Sequence, residues 1–274
     1  QFKKLRECQD LGHEVILLIG SFTAMIGDPT DKTATRKQLT ADEVMANAQT
    51  YKAQAEKIIR FDGENPAKML FNDKWLANLS FKDVIDLASQ FTVQQMMERD
   101  MFEKRWNEEK SISLHEFMYP LMQGFDSVFM DVDVEIGGND QTFNMLAGRT
   151  LMKAGVLGHK PKEKFVITIK LLTNDEGKKM SKSEGGMIAI DDVPEDMFGK
   201  VMSMNDGMII SYFAHVIDAT ADELTNIKSR LDSGENPRDV KMELAEHVVS
   251  LYHGTEAGKK ARAHFVQVFQ EHSA

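Results

Sequence analysis

The sequence predicts an α/β fold, a parallel sheet flanked by helices, followed by an all-helical domain. Up to Ile169, short apolar runs of strand length alternate with amphipathic segments of helix length, the order that a parallel sheet requires. From Pro194 onward the strand signal stops, and amphipathic helical patterns follow one another. The boundary is placed there, with the α/β domain at residues 1–193 and the helical domain at 194–274.

Residues 1–11 read as a helix already under way, with Gly12 as its C-terminal stop. Residues 15–20 form an apolar run without alternation, as a buried strand does. A long helix is predicted over 40–59, with Asp42 and Glu43 in its first turn, where the helix dipole favours anions. Residues 68–71 make a second strand, and 132–136 and 165–169 two more. Residues 81–88, 92–105 and 114–124 are helical candidates. In the last part, 202–217, 221–231 and 239–252 read as helices, and Asp232-Ser233-Gly234-Glu235-Asn236-Pro237 breaks two of them apart.

A chain of 274 residues is long enough for two domains and for burying ~70–75% of its unfolded surface. Its net charge is −10, from 33 basic and 43 acidic residues, which offers no global attraction to nucleic acid. Contact with RNA would fall to local patches such as Lys259-Lys260-Ala261-Arg262, a run that a solvated helix face explains equally well. The single cysteine, Cys8, excludes an internal disulfide and suits a reducing compartment. No apolar run approaches ~18 residues and no signal peptide is visible, so a cytoplasmic protein without membrane attachment is expected. The 18 methionines fall mostly at apolar helix positions and read as core filling. His247, His253, His264 and His272 lack metal-ligand spacing, so no protein metal site is expected.

Chemistry concentrates in three places. Lys179-Met180-Ser181-Lys182-Ser183, followed by Glu184-Gly185-Gly186, puts two ammonium groups and two hydroxyls on a glycine-flanked loop. Such a loop suits a polyphosphate, because lysine offers a compact charge and serine hydroxyls and backbone N–H groups bond anionic oxygens. A plain surface turn of this composition would look the same. Upstream, Tyr119, Gln123 and Asp126 stand at helical spacings of four and three, presenting a phenol, an amide and a carboxylate on one face. That face could recognise an amino acid; a buried tyrosine with incidental polar neighbours fits the spacing too. The alternating run Val132-Asp133-Val134-Glu135-Ile136 leads into Gly137-Gly138-Asn139-Asp140-Gln141 and then a helix, the arrangement that lets a ligand approach the backbone at a strand's carboxyl end.

Together with Ile26-Gly27-Asp28-Pro29 and Asn144, these segments occur in one order across nearly the whole chain, and they resemble the bacterial tyrosyl-tRNA synthetases, which are class I aminoacyl-tRNA synthetases. Tryptophanyl relatives share the fold and the lysine loop, but Tyr119, Gln123 and Asp126 ahead of the Gly-Gly-x-Asp-Gln run look like the tyrosine enzymes. The resemblance implies a Rossmann-like catalytic domain followed by a helical anticodon-binding domain. It places Tyr119, Gln123 and Asp28 at the ammonium of tyrosine and Asp126 at its phenol. Gln141 matches the residue near the tyrosine carboxylate, and Gly138 and Asp140 match those lining the ATP ribose. Glu135 stands where relatives often place Gln. Lys179, Lys182 and Ser183 match the loop that grips pyrophosphate, and Lys32 and Arg36 a basic pair that reaches the same group. Residues 92–105, with Val93, Met96, Met97, Asp100 and Met101, resemble the region through which the family forms homodimers, though internal packing suits them equally.

The activity implied is that of a tyrosine–tRNA ligase. The tyrosine carboxylate attacks the α-phosphorus of ATP, cations stabilise the spreading charge, and a hydroxyl of tRNA(Tyr) takes the tyrosyl group. Magnesium accompanies ATP, and no tightly bound cofactor is implied. The His-x-Gly-His signature of class I enzymes occurs nowhere in the chain, which opens on Gln1 without an initiator Met. The expectation is therefore a fragment, lacking the first strand with the signature and the small C-terminal RNA-binding domain, and weakly active or inactive by itself. A catalytically idle paralogue that binds tyrosine or tRNA is the alternative. A different nucleotidyl transferase on the same fold would discard Tyr119, Gln123 and Asp126. Two smaller departures, Glu184-Gly185-Gly186 after the loop and Lys170 before it, would tune the loop without changing its chemistry.

Overall fold

The structure, a computed structural model, describes residues 1–26, 40–172 and 187–269. The chain divides into two compact units, Gln1–Lys170 and Leu171–Ala274.

The first unit opens with α1 (Phe2–Asp10), which ends at Gly12 with φ +87°, a left-handed turn that glycine adopts without strain. Strand β1 (Ile16–Ile19) leads into α2 (Ser21–Ile26). Helix α3 (Ala41–Ala55) starts at a reciprocal cap, in which Glu43 N donates to Thr40 Oγ1 at 3.2 Å and Thr40 N to Glu43 Oε2 at 2.7 Å. It stops four residues short of the expected end at 59, and the chain turns toward β2 (Lys68–Phe71). β1 and β2 pair in parallel, from Ile16 opposite Lys68 to Ile19 opposite Phe71.

Short helices follow: α4 (Asp73–Leu76), α5 (Phe81–Ala88), α6 (Val93–Met97) and α7 (Asp100–Asn107). The helix expected over 92–105 is two helices, because Arg99 takes an extended conformation (φ −69°, ψ 119°) between them. A 3₁₀ turn, Leu114–Phe117, then leads into α8 (Met118–Phe129), whose Pro120 lies in the first turn, where a missing N–H costs nothing. Strand β3 (Val134–Gly138), α9 (Thr142–Ala154) and β4 (Phe165–Ile169) complete the unit. β3 and β4 are also parallel, with Val134 opposite Phe165 and Gly138 opposite Ile169. The parallel pairing expected from the alternation is present. Among the described residues it forms two separate two-stranded sheets.

The core of this unit gathers Trp75, Leu76, Leu87, Phe125, Val128, Leu151 and Met152. Within it α8 and α9 pack backbone against backbone: a Cβ on Gly124 would lie 3.0 Å from Gly148 N.

The second unit is helical among its described residues. It comprises α10 (Pro194–Met202), α11 (Ile209–Tyr212), α12 (Ala221–Asp232), α13 (Pro237–His253) and α14 (Thr255–Phe269). Met197, Phe198, Val201, Val240, Leu244 and Val249 form its core. The continuous helix expected over 202–217 is replaced by a 3₁₀ turn at Asp206–Met208, α11, and a π-helical turn at Phe213–Ile217, closed by Asp218 in the left-handed region. On α14, Lys259 pairs with Glu256 at 3.3 Å and Arg262 with Glu246 at 2.8 Å, so carboxylates meet part of the basic run. Among the described residues no helix is long and apolar enough to cross a membrane.

Candidate active site

Helix α8 carries three of the expected residues, one turn apart. Leu121, Phe125 and Val128 turn into the core, and that fixes the helix's rotation. Tyr119 and Gln123 are half-buried, and Asp126 is only 3% exposed.

Asp126 is held from the carboxyl end of β2. Trp75 Nε1 donates to its Oδ1 at 2.7 Å, and Asn72 Nδ2 to its Oδ2 at 3.1 Å. Asn72 follows β2 directly and is fully buried. Its Oδ1 accepts from Phe22 N at 2.8 Å, which leaves only the amide nitrogen for Asp126. The indole of Trp75 stacks on Phe129, three residues beyond Asp126, with ring centroids 4.6 Å apart. Burial pushes the Asp126 carboxyl up to about 7; the bonds from Asn72 and Trp75 oppose the rise and the charge of Glu135 adds to it.

Gln123 belongs to a second polar group between β3 and α9. Its Nε2 donates to Glu135 Oε1 at 3.3 Å, and its Oε1 accepts from Asn144 Nδ2 at 3.0 Å. The same Asn144 nitrogen donates to Gln141 Oε1 at 3.0 Å. Beneath them the side chain of Lys164 is fully buried. Its Nζ donates to Glu135 Oε2, to Ser127 Oγ at 2.8 Å and to Met145 O at 3.0 Å. Burial draws the Lys164 ammonium down in pKa, and Glu135 works against that shift. Room for this ammonium comes from Gly148, where a Cβ would lie 2.5 Å from Nζ.

The structure therefore joins Gln123 and Gln141 through Asn144 and Glu135 to Gln123 directly, and sets Asp126 apart on Asn72 and Trp75. Gly138 ends β3 and is buried, and Asp140 lies in the turn that follows, before α9. Asp28, Lys32, Arg36, Lys179, Lys182 and Ser183 lie outside the described residues. Asn72, Trp75, Ser127 and Lys164 were not expected. A polar residue directly after a strand, as Asn72 is, was the available signal. Lys164, at the end of the charged run Lys162-Glu163-Lys164, reads as a surface lysine and gave none. Among the described residues no group of three or more His, Cys, Asp or Glu side chains could hold a metal.

The family described as tRNA synthetases class I (W and Y) matches residues 1–270, and the chain belongs to it. Among the curated relatives it is similar to are tyrosine–tRNA ligases. That of Carboxydothermus hydrogenoformans is 47% identical over 273 residues, covering 98% of this chain and 64% of the relative. That of Haemophilus influenzae is 46% identical over 269 residues, covering 98% and 65%. The chain thus spans about two thirds of the length of these relatives. In fold it is similar to a C-terminally truncated mitochondrial tyrosyl-tRNA synthetase of Aspergillus nidulans (TM-score 0.76, 21% identity, 98% of this chain and 81% of that one). It is likewise similar to the Archaeoglobus fulgidus tyrosyl-tRNA synthetase solved with L-tyrosine (TM-score 0.71, 21% identity, 95% and 84%).

Proposed function

We propose that this chain carries the tyrosine site and part of the ATP site of a tyrosine–tRNA ligase, which forms tyrosyl-adenylate and passes tyrosine to tRNA(Tyr). The observation that carries the reading is Asp126, a buried carboxylate gripped by Asn72 and Trp75 at the end of β2. A carboxylate so placed accepts from a substrate phenol. Phenylalanine would leave it one donor short in a dry site; tyrosyl-tRNA synthetases are themselves the reference case for this discrimination, on the order of 10⁵.

In this reading Tyr119, Gln123 and Asp28 hold the ammonium, and Gln141 lies by the carboxylate that attacks ATP. Gly138 and Asp140 line the ribose. Lys179, Lys182 and Ser183, with Lys32 and Arg36, meet the charge that spreads onto the leaving pyrophosphate. No proton need move on the enzyme during adenylate formation, so positioning and cations supply the rate. Magnesium travels with ATP on phosphate oxygens and waters. Residues 1–193 serve as the catalytic domain and 194–274 as the anticodon-binding domain of a cytoplasmic homodimer. The dimer is supported by large apolar side chains left exposed on its α5–α8 region, Phe81, Val93, Trp106 and Leu114.

The test is ATP–pyrophosphate exchange by the full-length gene product with tyrosine, phenylalanine or tryptophan, beside Asp126→Ala. Exchange with tyrosine alone, lost in the variant, is expected. No exchange with any of the three would overturn the reading in favour of a binding paralogue.

A further inference from the structure

Lys164 stands directly before β4 with its side chain wholly out of water. An ammonium has three protons and no lone pair, so burial is tolerated only where acceptors converge on it. Here they come from three elements: Glu135 of β3, Ser127 Oγ of α8 at 2.8 Å and Met145 O of α9 at 3.0 Å. Ser127 closes the group by donating to Glu135 Oε2 at 3.0 Å, and Arg149 Nε of α9 donates to the Lys164 carbonyl at 2.9 Å. Packing alone does not call for this arrangement, because an apolar side chain would fill the same volume without the desolvation of an ion pair. What an ammonium adds is a charge set against another charge.

That other charge is Glu135, and it bears on Asp126, the residue before Ser127, adding to the proton affinity that burial gives the Asp126 carboxyl. Among the described residues, the turn after β2 faces Asp126 with Asn72 and Trp75, which carry no charge. Asp73 of the same turn is bonded to Ser21. On α8, Tyr119 lies two turns before Asp126 on the same face, and its phenol is uncharged at neutral pH. We propose that Lys164 is a positioning residue for the phenol end of the pocket: it holds Glu135 and counters its charge, and thereby keeps Asp126 an ionised acceptor for a phenol O–H. This rests on the proposed tyrosine site and adds to it a buried group with no place in substrate binding.

The two charges can be removed singly and together, and that provides the test. In the full-length gene product, ¹³C NMR of aspartate-labelled protein follows the Asp126 carboxyl from pH 5 to pH 9 without ligand, with Asp126→Asn identifying its signal. Lys164→Met leaves Glu135 uncountered and is expected to raise the Asp126 midpoint by about one pH unit. Glu135→Gln leaves the ammonium uncountered and is expected to lower it by a similar amount. In K164M/E135Q both charges are gone, and the midpoint is expected within about 0.3 pH unit of wild type. Lost packing does not move a midpoint in opposite directions and then restore it. Tyrosine affinity, measured by fluorescence titration, should follow: K164M binds about fivefold more weakly at pH 7 and approaches wild type at pH 8.5. A K164M midpoint that stays or falls overturns the inference, as does a double variant that keeps the shift of either single. Should K164M alone not fold, the step from E135Q to the double variant isolates the lysine; a rise supports its role and no change overturns it. If the wild type binds no tyrosine at any pH, the proposed function fails, and the ligand-free midpoints still decide whether Lys164 governs Asp126.

Discussion

Trp75 Nε1 and Asp126 Oδ1 lie 2.7 Å apart, an indole from the turn after β2 donating to a carboxylate on α8 that is almost wholly out of water. Burial still outweighs this bond and that from Asn72, and the Asp126 carboxyl stands at about 7 instead of the ordinary 3.8. Between those two values the folded protein keeps a proton that the unfolded chain has released. Raising the pH across that window therefore costs the fold stability, and lowering it restores the loss. Thermal melts of wild type and Asp126→Ala from pH 4 to pH 8 should show the variant gaining on wild type as pH rises, by several degrees in total. Parallel curves would contradict this assignment.

Asn72 uses both ends of its amide, accepting from Phe22 N and donating to Asp126. Asn72→Ala leaves a backbone donor and a carboxylate oxygen short of partners in a dry site, at a cost of about 1–3 kcal/mol. Asn72→Asp should be worse, because it sets a second carboxylate against Asp126. Denaturant midpoints at pH 7 rank the two, and the opposite order would count against the fixed amide.

Three helical glycines should respond differently to alanine. At Gly148 a methyl meets Lys164 Nζ at 2.5 Å and Ser127 Oγ at 3.0 Å; at Gly124 it meets the backbone of α9 at 3.0 Å. Each substitution is expected to cost about 1–3 kcal/mol by overpacking. Gly199, inside α10, has nothing within 4 Å of that position, and Gly199→Ala should stabilise by about 0.5–1 kcal/mol. Calorimetric Tm values check all three.

If the lysine loop meets charge that exists fully only as pyrophosphate leaves, Lys179→Ala and Lys182→Ala should each lower the rate of adenylate formation about 10²-fold and leave tyrosine binding unchanged. Single-turnover kinetics alongside tyrosine titrations would separate the two effects. A loss confined to tyrosine affinity would place these lysines elsewhere.

Much of this was legible from the sequence where one local signal dominated. Residues 68–71 and 165–169 are strands as written, and 81–88 is a helix behind its Ser80 cap. The misses are places where tertiary contacts overrode periodicity. Arg99 breaks one apolar pattern into two helices, and 202–217, apolar enough for a continuous helix, is bent through 3₁₀ and π turns as Met208, Ile209, Tyr212 and Phe213 all enter the core. In the site, the spacing along α8 was readable because three residues share one helix. Asn72 and Lys164 were not, since each reaches its partner across more than 25 positions; only its place directly after a strand marks Asn72, and nothing local marks Lys164.

Helix α8 is moored at two points by unrelated neighbours, at Asp126 by the turn after β2 and at Gln123 by β3 and α9. For a small ligand lying along that helix, its two ends are inspected by different parts of the molecule. On the proposed reading of the site, selection can then alter which ring is accepted at one mooring while the grip on the common amino-acid head stays as it was. A lineage gains from this the freedom to change its preferred side chain without first dismantling the place where the chemistry happens.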